Sequence, residues 1–256
     1  MRLHLRRLMG RFYSQKVTVL VQAEEDKLFA EHPKSIRSFV RRSGRMTKAQ
    51  KEAFECHWET YGLDVEVCSL NFFHIFGNQF PVWLEVGFGN GDVLLEMATA
   101  NPDINFIGID VYKPGVGRLL KNIAALELSN VKVICDDAVT VLQSAIEPGS
   151  LDRVLVFFPD PWPKKKHHKR RLVSLDFVHL LSERIAPSGT LHLATDWEEY
   201  AYQMVEVIDR SGNFVNTGAA SGFADRPAYR PETHFERRGA RLGHGIWDVL
   251  YKRKPA

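Results

Sequence analysis

The sequence has little cysteine, no long apolar run and no large excess of charge of either sign. Its 256 residues include three cysteines, Cys56, Cys68 and Cys135, which are widely spaced and form no CxxC pair. This spacing disfavours a disulfide framework or a zinc site and is typical of reduced thiols in the cytoplasm. No apolar stretch approaches the roughly 20 residues that a membrane helix needs. We therefore expect a cytoplasmic protein with no membrane span and no metal centre.

Net charge is also small, which limits how the protein can attract a polyanion. The formal net charge is +3 and the pI is 8.7, so any such affinity has to come from local clusters. Residues 1–23 carry five Arg or Lys and no acid, and we interpret them as a basic, flexible arm; a transit peptide is the alternative. Residues 24–80 form a basic and helical extension of the main domain.

From residue 82 onward, short apolar runs alternate with segments of helical length. Strands are predicted at Val82–Val86, Asn105–Asp110, Val131–Cys135, Arg153–Phe158, Thr190–Thr195, Asn213–Asn216 and Ile246–Lys252. Helices are predicted at Asp92–Ala100, Gly117–Leu128, Ala138–Ala145, Val173–Ile185 and Glu198–Arg210. This alternation is typical of βαβ units, and it predicts one α/β domain at residues 81–256 with a mainly parallel sheet.

A glycine-rich turn follows the first predicted strand, in the stretch WLEVGFGNGD. Gly87, Gly89 and Gly91 let the backbone turn sharply and approach a ligand. In a dinucleotide fingerprint the third glycine comes five residues after the first, whereas here it comes after four. Glu85 would repel a pyrophosphate but suits a ligand with an ammonium and a sulfonium. The turn therefore predicts S-adenosylmethionine, rather than NAD, as the cofactor.

Two further acids follow the next two predicted strands. Asp110 ends the stretch FIGID, where a carboxylate can accept hydrogen bonds from both ribose hydroxyls, a feature that NAD enzymes share. Asp137, in the stretch CDDA, can either cap the following helix or contact the adenine amino group. The sequence leaves both interpretations of Asp137 open.

The stretch FFPDPWPKKKHHKRR, residues 157–171, puts an acid in a rigid turn directly before a basic run. Pro159 and Pro161 fix φ on both sides of Asp160 and remove two amide donors, so the carboxylate has little conformational freedom. In an open α/β sheet this turn would lie at the carboxyl edge, next to the first strand if the strand order reverses there. We therefore predict that Asp160 lies in the active site.

Two basic clusters indicate a polyanionic substrate. The first could neutralise several phosphates and consists of Lys164, Lys165, Lys166, Lys169, Arg170 and Arg171. The second lies in a glycine-rich segment with Tyr229 and Phe235, which could stack on bases; it consists of Arg226, Arg230, Arg237, Arg238 and Arg241. His167 and His168 cannot share a helix face, so we expect no metal there. A structured RNA is the predicted substrate.

The motifs LEVGFGNG, FFPDPWPKKKHHKRR, ATDWEEYA and RPETHFERRG resemble, in order and spacing, those of the bacterial tRNA (guanine-N7-)-methyltransferases. The resemblance runs from RSFVRRSGRMTK at 37–48 to about residue 253. It implies a Rossmann-like class I methyltransferase fold: α/β, with a seven-stranded, mostly parallel sheet whose last strand is antiparallel, and helices on both faces. The implied reaction methylates N7 of a variable-loop guanine, position 46 of tRNA, with no obligate protein partner, and we expect a monomer.

The resemblance also implies roles for individual residues. The cofactor contacts are Glu85, Asp110 and Asp137, and Asp160 is placed in the active site, within reach of cofactor and guanine. The implied tRNA contacts are Lys164, Asp196, Thr233, His234, Phe235 and Glu236. The family usually has lysine at position 234 and often methionine at position 90. His234 lacks a fixed charge at pH 7, which could weaken a contact with a phosphate or base.

Several alternatives stay open on the sequence alone. Guanine N7 already carries a lone pair, so Asp160 need not act as a base; it could supply negative charge near a purine that becomes cationic. It could instead accept hydrogen bonds from guanine N1–H and the 2-amino group. The chain could also methylate another RNA base or an amino group, or bind tRNA without turnover.

Overall fold

The computed structural model describes residues 45–65, 69–233, 236 and 245–255. The predicted arm at residues 1–23, residues 24–44 of the extension and Cys68 lie outside the described residues. The strands are β1 Val82–Val86, β2 Asn105–Ile109, β3 Val131–Ile134, β4 Leu151–Phe157, β5 Ile185–Thr195, β6 Phe214–Asn216 and β7 Trp247–Arg253. The helices are α1 Lys48–Tyr61, α2 Phe72–Phe76, α3 Asp92–Ala100, α4 Lys113–Ala125, α5 Ala138–Ser144, α6 Leu175–Arg184 and α7 Glu198–Ser211, with a 3₁₀ helix at Lys165–Arg170.

The strands form a sheet in the order β3-β2-β1-β4-β5-β7-β6, in which β7 runs antiparallel to both of its neighbours. The pairs β1–β2, β2–β3, β1–β4 and β4–β5 are parallel. The predicted seven-stranded sheet with an antiparallel last strand is therefore confirmed. The order reverses between β1 and β4, where Glu85 pairs with Leu155. Open α/β folds bind their ligands at such a switch point.

Helices cover both faces of the sheet because the inner strands are buried on both sides. Every residue of β1 and of β2 is buried, as expected of parallel strands with a helical layer on each face. Helices α5, α6 and α7 pack on one face around residues such as Leu84 and Val154. Helices α3 and α4 pack on the other around Trp83 and Phe106, and Phe54 and Trp58 of α1 add to that layer.

Two of the predicted elements have wrong starting points. The helix predicted at Gly117–Leu128 is α4, which begins at Lys113 because Pro114 lies in the first turn, where no intrahelical N–H is needed. The strand predicted at Thr190–Thr195 is β5, which begins at Ile185 and continues through Pro187. Its pairing with β4 shifts register there, and such irregular ladders tolerate proline. The end of α4 is also wrong, since the helix stops at Ala125, three residues before the predicted Leu128, and the remaining predicted boundaries agree to within two residues. Among the described residues, no helix is both long and apolar enough to cross a membrane.

Candidate active site

The carboxyl edge of the sheet brings together the turns that the sequence singled out. Gly87 follows β1, Asp110 follows β2, and Asp196 follows β5. Asp160 lies three residues beyond Phe157, the end of β4. Because β1, β2, β4 and β5 are parallel neighbours, these turns project from the same edge. The predicted cofactor turn and the predicted catalytic turn thus follow adjacent strands.

The glycine turn has a shape that only glycine adopts easily. Gly87, Gly89 and Gly91 have φ of 76°, 60° and 78°, in the left-handed region that disfavours other residues. A Cβ at Gly87 or Gly89 would meet no atom within 4 Å, so these two positions face open space. On the protein side the turn is tightly packed, since a Cβ at Gly115 would lie 1.8 Å from the Gly89 carbonyl oxygen. The N-terminus of α4 therefore packs directly against the backbone of the turn.

Glu85 lies beside this turn, on β1, and one of its carboxyl oxygens is unsatisfied. The residue is 3% exposed, and its Oε2 has no hydrogen-bond partner in the part of the chain that the structure describes. Burial, with a smaller contribution from the nearby charge of Asp110, raises the pKa of Glu85 to about 8. A buried acceptor without a partner is costly. An ammonium group would satisfy it, which fits the amino-acid end of S-adenosylmethionine.

Asp110 is held in place by the glycine turn. Its Oδ2 accepts from Gly89 N–H at 2.7 Å and its Oδ1 accepts from Tyr112 N–H at 2.8 Å. Burial raises the pKa of Asp110, and these backbone donors oppose the rise. Each oxygen keeps a second lone pair that can accept from a hydroxyl. Both oxygens of the carboxylate can therefore still accept from a ligand, and the contact with ribose hydroxyls stays a prediction.

Asp137 caps α5, which was one of its two predicted roles. Its Oδ1 accepts from Thr140 N–H at 3.0 Å and from the Thr140 hydroxyl at 3.2 Å. Its side chain is only half-buried at the end of β3, so Oδ2 can still meet a ligand. The contact with an adenine amino group stays a prediction.

The turn that carries Asp160 is bounded by two strained residues. Phe158 and Trp162 have φ of 52° and 45°, in a region that costs a bulky side chain about 1–3 kcal/mol. The Phe158 N–H donates to the Ala194 carbonyl of β5 at 2.8 Å, which fixes the start of the turn. Asp160 itself is exposed. Strain of this kind persists only where the surroundings enforce it, so the turn is rigid and presents its carboxylate to solvent.

Most of the first basic cluster forms an exposed 3₁₀ helix directly after this turn. Lys164 caps the helix, and the exposed cations are Lys164, Lys165, Lys166 and Lys169. The Arg170 guanidinium lies 4.7 Å from the Trp162 ring centroid, and His167 packs edge-on against the same ring. The sequence predicts that this cluster could neutralise several phosphates, and Arg171 has to be taken out of that set. That side chain is 2% exposed and cannot reach a phosphate in solvent.

The second basic cluster is partly a buried ion network. Thr233 and Glu236 cap each other, because Thr233 N–H donates to Glu236 Oε2 at 2.7 Å and Glu236 N–H donates to the Thr233 hydroxyl at 3.0 Å. Both are buried. Arg230 donates to both Glu236 oxygens and to both oxygens of Asp248, at 2.7–2.8 Å. Arg230 therefore does not contact a phosphate, contrary to the prediction.

His192 and Tyr229 extend the network across the sheet. His192 Nε2 lies 2.7 Å from Asp248 Oδ1, and Tyr229 Oη lies 2.8 Å from His192 Nδ1. Burial lowers the pKa of His192, so a neutral ring donates to Asp248 and accepts from Tyr229. The Arg153 guanidinium lies over the Tyr229 ring, 4.0 Å from its centroid. Tyr229 is thus held by packing contacts, and its availability to stack on a base stays a prediction.

His234 and Phe235, predicted with Thr233 and Glu236 as tRNA contacts, lie outside the described residues, as do Arg237, Arg238 and Arg241. Within the described ranges, no group of three or more His, Cys, Asp or Glu side chains could hold a metal ion.

Comparison with known proteins identifies the family. A family model described as a putative methyltransferase matches residues 79–249. The chain is 50% identical over 224 residues to the tRNA (guanine-N(7)-)-methyltransferase of Methylococcus capsulatus, covering 88% of this chain and 96% of that protein. It is 49% identical over 221 residues to the enzyme of the same name from Alcanivorax borkumensis, covering 86% and 92%. The chain belongs to the tRNA (guanine-N(7)-)-methyltransferase family.

The fold of this family member is also found in a more distant protein. The crystal structure of the 16S rRNA methyltransferase KamB matches with a TM-score of 0.52 and 15% identity, covering 77% of this chain and 99% of that one. At this identity the match shows that the two proteins share a fold and nothing more.

Sequence reasoning missed the buried polar residues of this tRNA (guanine-N(7)-)-methyltransferase family member. His192 and Asp248 pair across β5 and β7, and Arg230 joins them from a loop. A signal exists for Asp248, an acid that directly precedes the apolar run Val249–Tyr251 of β7. Arg171 and Arg230 carry no such signal, because they stand among other basic residues and look like them.

Proposed function

We propose that this chain transfers the methyl group of S-adenosylmethionine to N7 of a guanine in the variable loop of tRNA, at position 46. One observation carries the proposal: Glu85 Oε2, which has no hydrogen-bond partner among the described residues, lies on β1 and the open glycine turn follows that strand, while the rigid Asp160 turn with its basic helix follows the adjacent strand β4. A site for a cationic small ligand and a site for a polyanion therefore adjoin. The names of the curated relatives support the same reaction.

When bound, S-adenosylmethionine supplies a methyl group on a positively charged sulfur. Glu85 would accept from the ammonium group, and the open faces of Gly87 and Gly89 let the ligand approach the backbone. Asp110 would accept from the ribose hydroxyls, and Asp137 from the adenine amino group. Gly91 ends the turn and begins α3.

Asp160 would act on the guanine. N7 presents its own lone pair, so alignment and charge are what the protein can contribute. The rigid turn holds a carboxylate at the edge of the site, where it can stabilise positive charge on the purine or accept from N1–H and the 2-amino group. The second role would also reject adenine, because adenine presents an acceptor at N1.

The exposed lysines would hold the tRNA backbone. Lys164 and its neighbours lie directly after the Asp160 turn, so phosphates bound there would bring a nearby base to the carboxylate. Asp196 follows β5, the strand next to β4, and we propose it as a further contact with the substrate. Thr233, His234, Phe235 and Glu236 remain proposed tRNA contacts, with Glu236 oriented by Arg230. We also propose that the enzyme acts as a monomer in the cytoplasm, where tRNA is modified.

The test is methyl transfer from labelled S-adenosylmethionine to unmodified bulk tRNA, followed by nucleoside analysis. We expect 7-methylguanosine as the labelled product, and a fall of at least roughly a hundredfold with Asp160→Ala. Lys121→Ala, which removes an exposed lysine of α4, is the control and should leave the rate unchanged. Label on another base would mean that the proposed target, guanine N7, is wrong. Protein that binds tRNA and cofactor but transfers no label would instead be a tRNA-binding module.

A further inference from the structure

Arg171 ends the basic run but belongs to the protein interior. Its side chain is 2% exposed, whereas Lys164, Lys165 and Lys166 are exposed. Its Nε donates to the Pro161 carbonyl at 2.8 Å, inside the turn that carries Asp160. Pro161 directly follows Asp160 in the sequence. The hydrogen bond therefore fixes the backbone immediately after the residue that carries the carboxylate.

The other donors of Arg171 tie the same turn to two helices. Nη1 donates to Gln203 Oε1 of α7 and lies 3.4 Å from Glu199 Oε1. Nη2 lies 3.2 Å from His168 Nε2 of the 3₁₀ helix. The guanidinium also stacks over the Tyr200 ring, 4.8 Å from its centroid. One planar group therefore joins the acidic turn, the basic helix and α7, a geometry that a lysine cannot reproduce.

Stability alone is a poor explanation for this buried cation. Among the described residues, the carboxylate that pairs with it is Glu199, which is 58% exposed, so the ion pair is largely screened. The other acceptors, the Pro161 carbonyl and Gln203 Oε1, are neutral, so little ion pairing offsets the cost of taking this cation out of water. What the guanidinium uniquely provides is orientation of a turn whose ends, Phe158 and Trp162, are both strained.

We propose that Arg171 is a positioning residue for Asp160: it holds the Pro161 carbonyl so that the carboxylate meets the guanine in the productive orientation. The inference rests on the proposed function and deepens it. Arg171 acts through Asp160 and touches neither substrate nor cofactor. Its loss should lower kcat rather than weaken tRNA binding, because the exposed lysines that face the phosphates are unchanged.

Arg184 offers a matched control. It is another partly buried arginine, 12% exposed, whose Nε donates to the Leu142 carbonyl at 2.6 Å and whose Nη1 lies 3.3 Å from Glu183. It joins α6 to α5, at the end of α6 where β5 begins rather than at the carboxyl edge. A purely structural arginine should behave like Arg184.

The experiment compares Arg171→Met, Arg171→Lys and Arg184→Met by thermal unfolding and by steady-state methylation of tRNA. We expect Arg171→Met to lower kcat about 10- to 100-fold, with the KM for tRNA and the affinity for S-adenosylhomocysteine within about twofold of wild type. The kcat of Arg171→Lys should lie between those of wild type and Arg171→Met. This variant replaces Arg171→Met in the comparison if the Met variant does not fold. If Arg184→Met lowers kcat as much at an equal loss of Tm, the positioning role is refuted. A rise in KM with kcat unchanged would instead make Arg171 a phosphate contact.

A double-mutant cycle with Asp160→Ala tests the route of the effect. If Arg171 acts only through Asp160, then Arg171→Met should cause no further loss in the Asp160→Ala background. Additive losses would overturn the proposal while leaving the proposed function intact. Wild-type protein that forms no 7-methylguanosine would refute the proposed function, and the positioning role with it.

Discussion

Replacing Glu85 by glutamine should remove a pH dependence from cofactor binding. The pKa of Glu85 is about 8 in the free protein, so about 90% of the carboxyl is protonated at pH 7. The ammonium of the cofactor needs the ionised form, and the apparent Kd is the intrinsic Kd divided by the ionised fraction. That fraction is about 1% at pH 6 and about 24% at pH 7.5. Affinity should therefore rise about 20- to 30-fold between these pH values.

Calorimetry with S-adenosylhomocysteine measures both the affinity and the protons. Titrations in two buffers of different ionisation enthalpy should report release of about 0.9 proton per ligand bound at pH 7. Glu85→Gln mimics the protonated carboxyl, so it should bind as wild type does at pH 6 to within a few-fold and gain nothing at pH 7.5. Glu96→Gln, which alters an exposed acid of α3, should behave as wild type. Wild-type binding with no proton release and no pH dependence would refute the role of Glu85.

The same carboxyl affects the stability of the free protein. Because the pKa of Glu85 is raised from 4.5 to about 8, the folded state keeps a proton that the unfolded state releases in this window. The contribution of Glu85 is fully present below pH 4.5 and is lost as the pH rises to about 8, at up to about 1.4 kcal/mol per pH unit. In urea unfolding, the free energy of unfolding of Glu85→Gln should not show this loss between pH 4.5 and about 8.

Three further changes test other parts of the account. Gly115→Ala would put a Cβ 1.8 Å from the Gly89 carbonyl oxygen, so calorimetry should show cofactor binding weakened at least about tenfold; unchanged binding would mean that the glycine turn moves freely. Lys166→Ala should reduce the slope of log K against log salt for tRNA binding by about 0.7–0.9 and leave cofactor binding alone, whereas an unchanged slope would remove Lys166 from the interface. Arg230→Met should leave Asp248 and Glu236 buried without their cation. Urea unfolding should show a free energy of unfolding lower by about 3–5 kcal/mol. The control Arg210→Met, on the exposed side of α7, should change this free energy little. A loss equal to that of Arg210→Met would contradict the buried network.

The cofactor side of the site could be predicted from the sequence because its signals are local. Positive φ occurs at all three glycines of the turn, Gly87, Gly89 and Gly91. Because other residues rarely adopt positive φ, glycines in a sequence indicate where the backbone can take that conformation. Glu85 and Asp110 stand at the ends of apolar strands, and parallel strands end at one edge. The sequence predicts that the Asp160 turn lies next to the first strand if the strand order reverses there, and β4 does pair with β1.

The basic clusters could not be sorted in this way, because burial of a charge depends on distant partners. Arg171 is buried by Gln203, 32 residues further along the chain, and Arg230 is paired with Asp248, 18 residues away. Neither contact leaves a mark in the local sequence, where both arginines resemble the exposed Lys165 and Arg226. The predicted start of α4 was wrong for a different reason. Proline and glycine usually end helices, but Pro114 lies in the first turn of this one, where proline is tolerated.

The central claim is that the Asp160 turn is where a tRNA guanine is methylated. The most direct test is single-turnover methylation of one tRNA transcript, and of the same transcript with adenine in place of the variable-loop guanine, by wild type, Asp160→Asn and Asp160→Ala. We expect 7-methylguanosine only in the guanine transcript, with both variants slower by at least roughly a hundredfold and tRNA binding unchanged. Methylation of the adenine transcript, or full activity of Asp160→Ala, would contradict it.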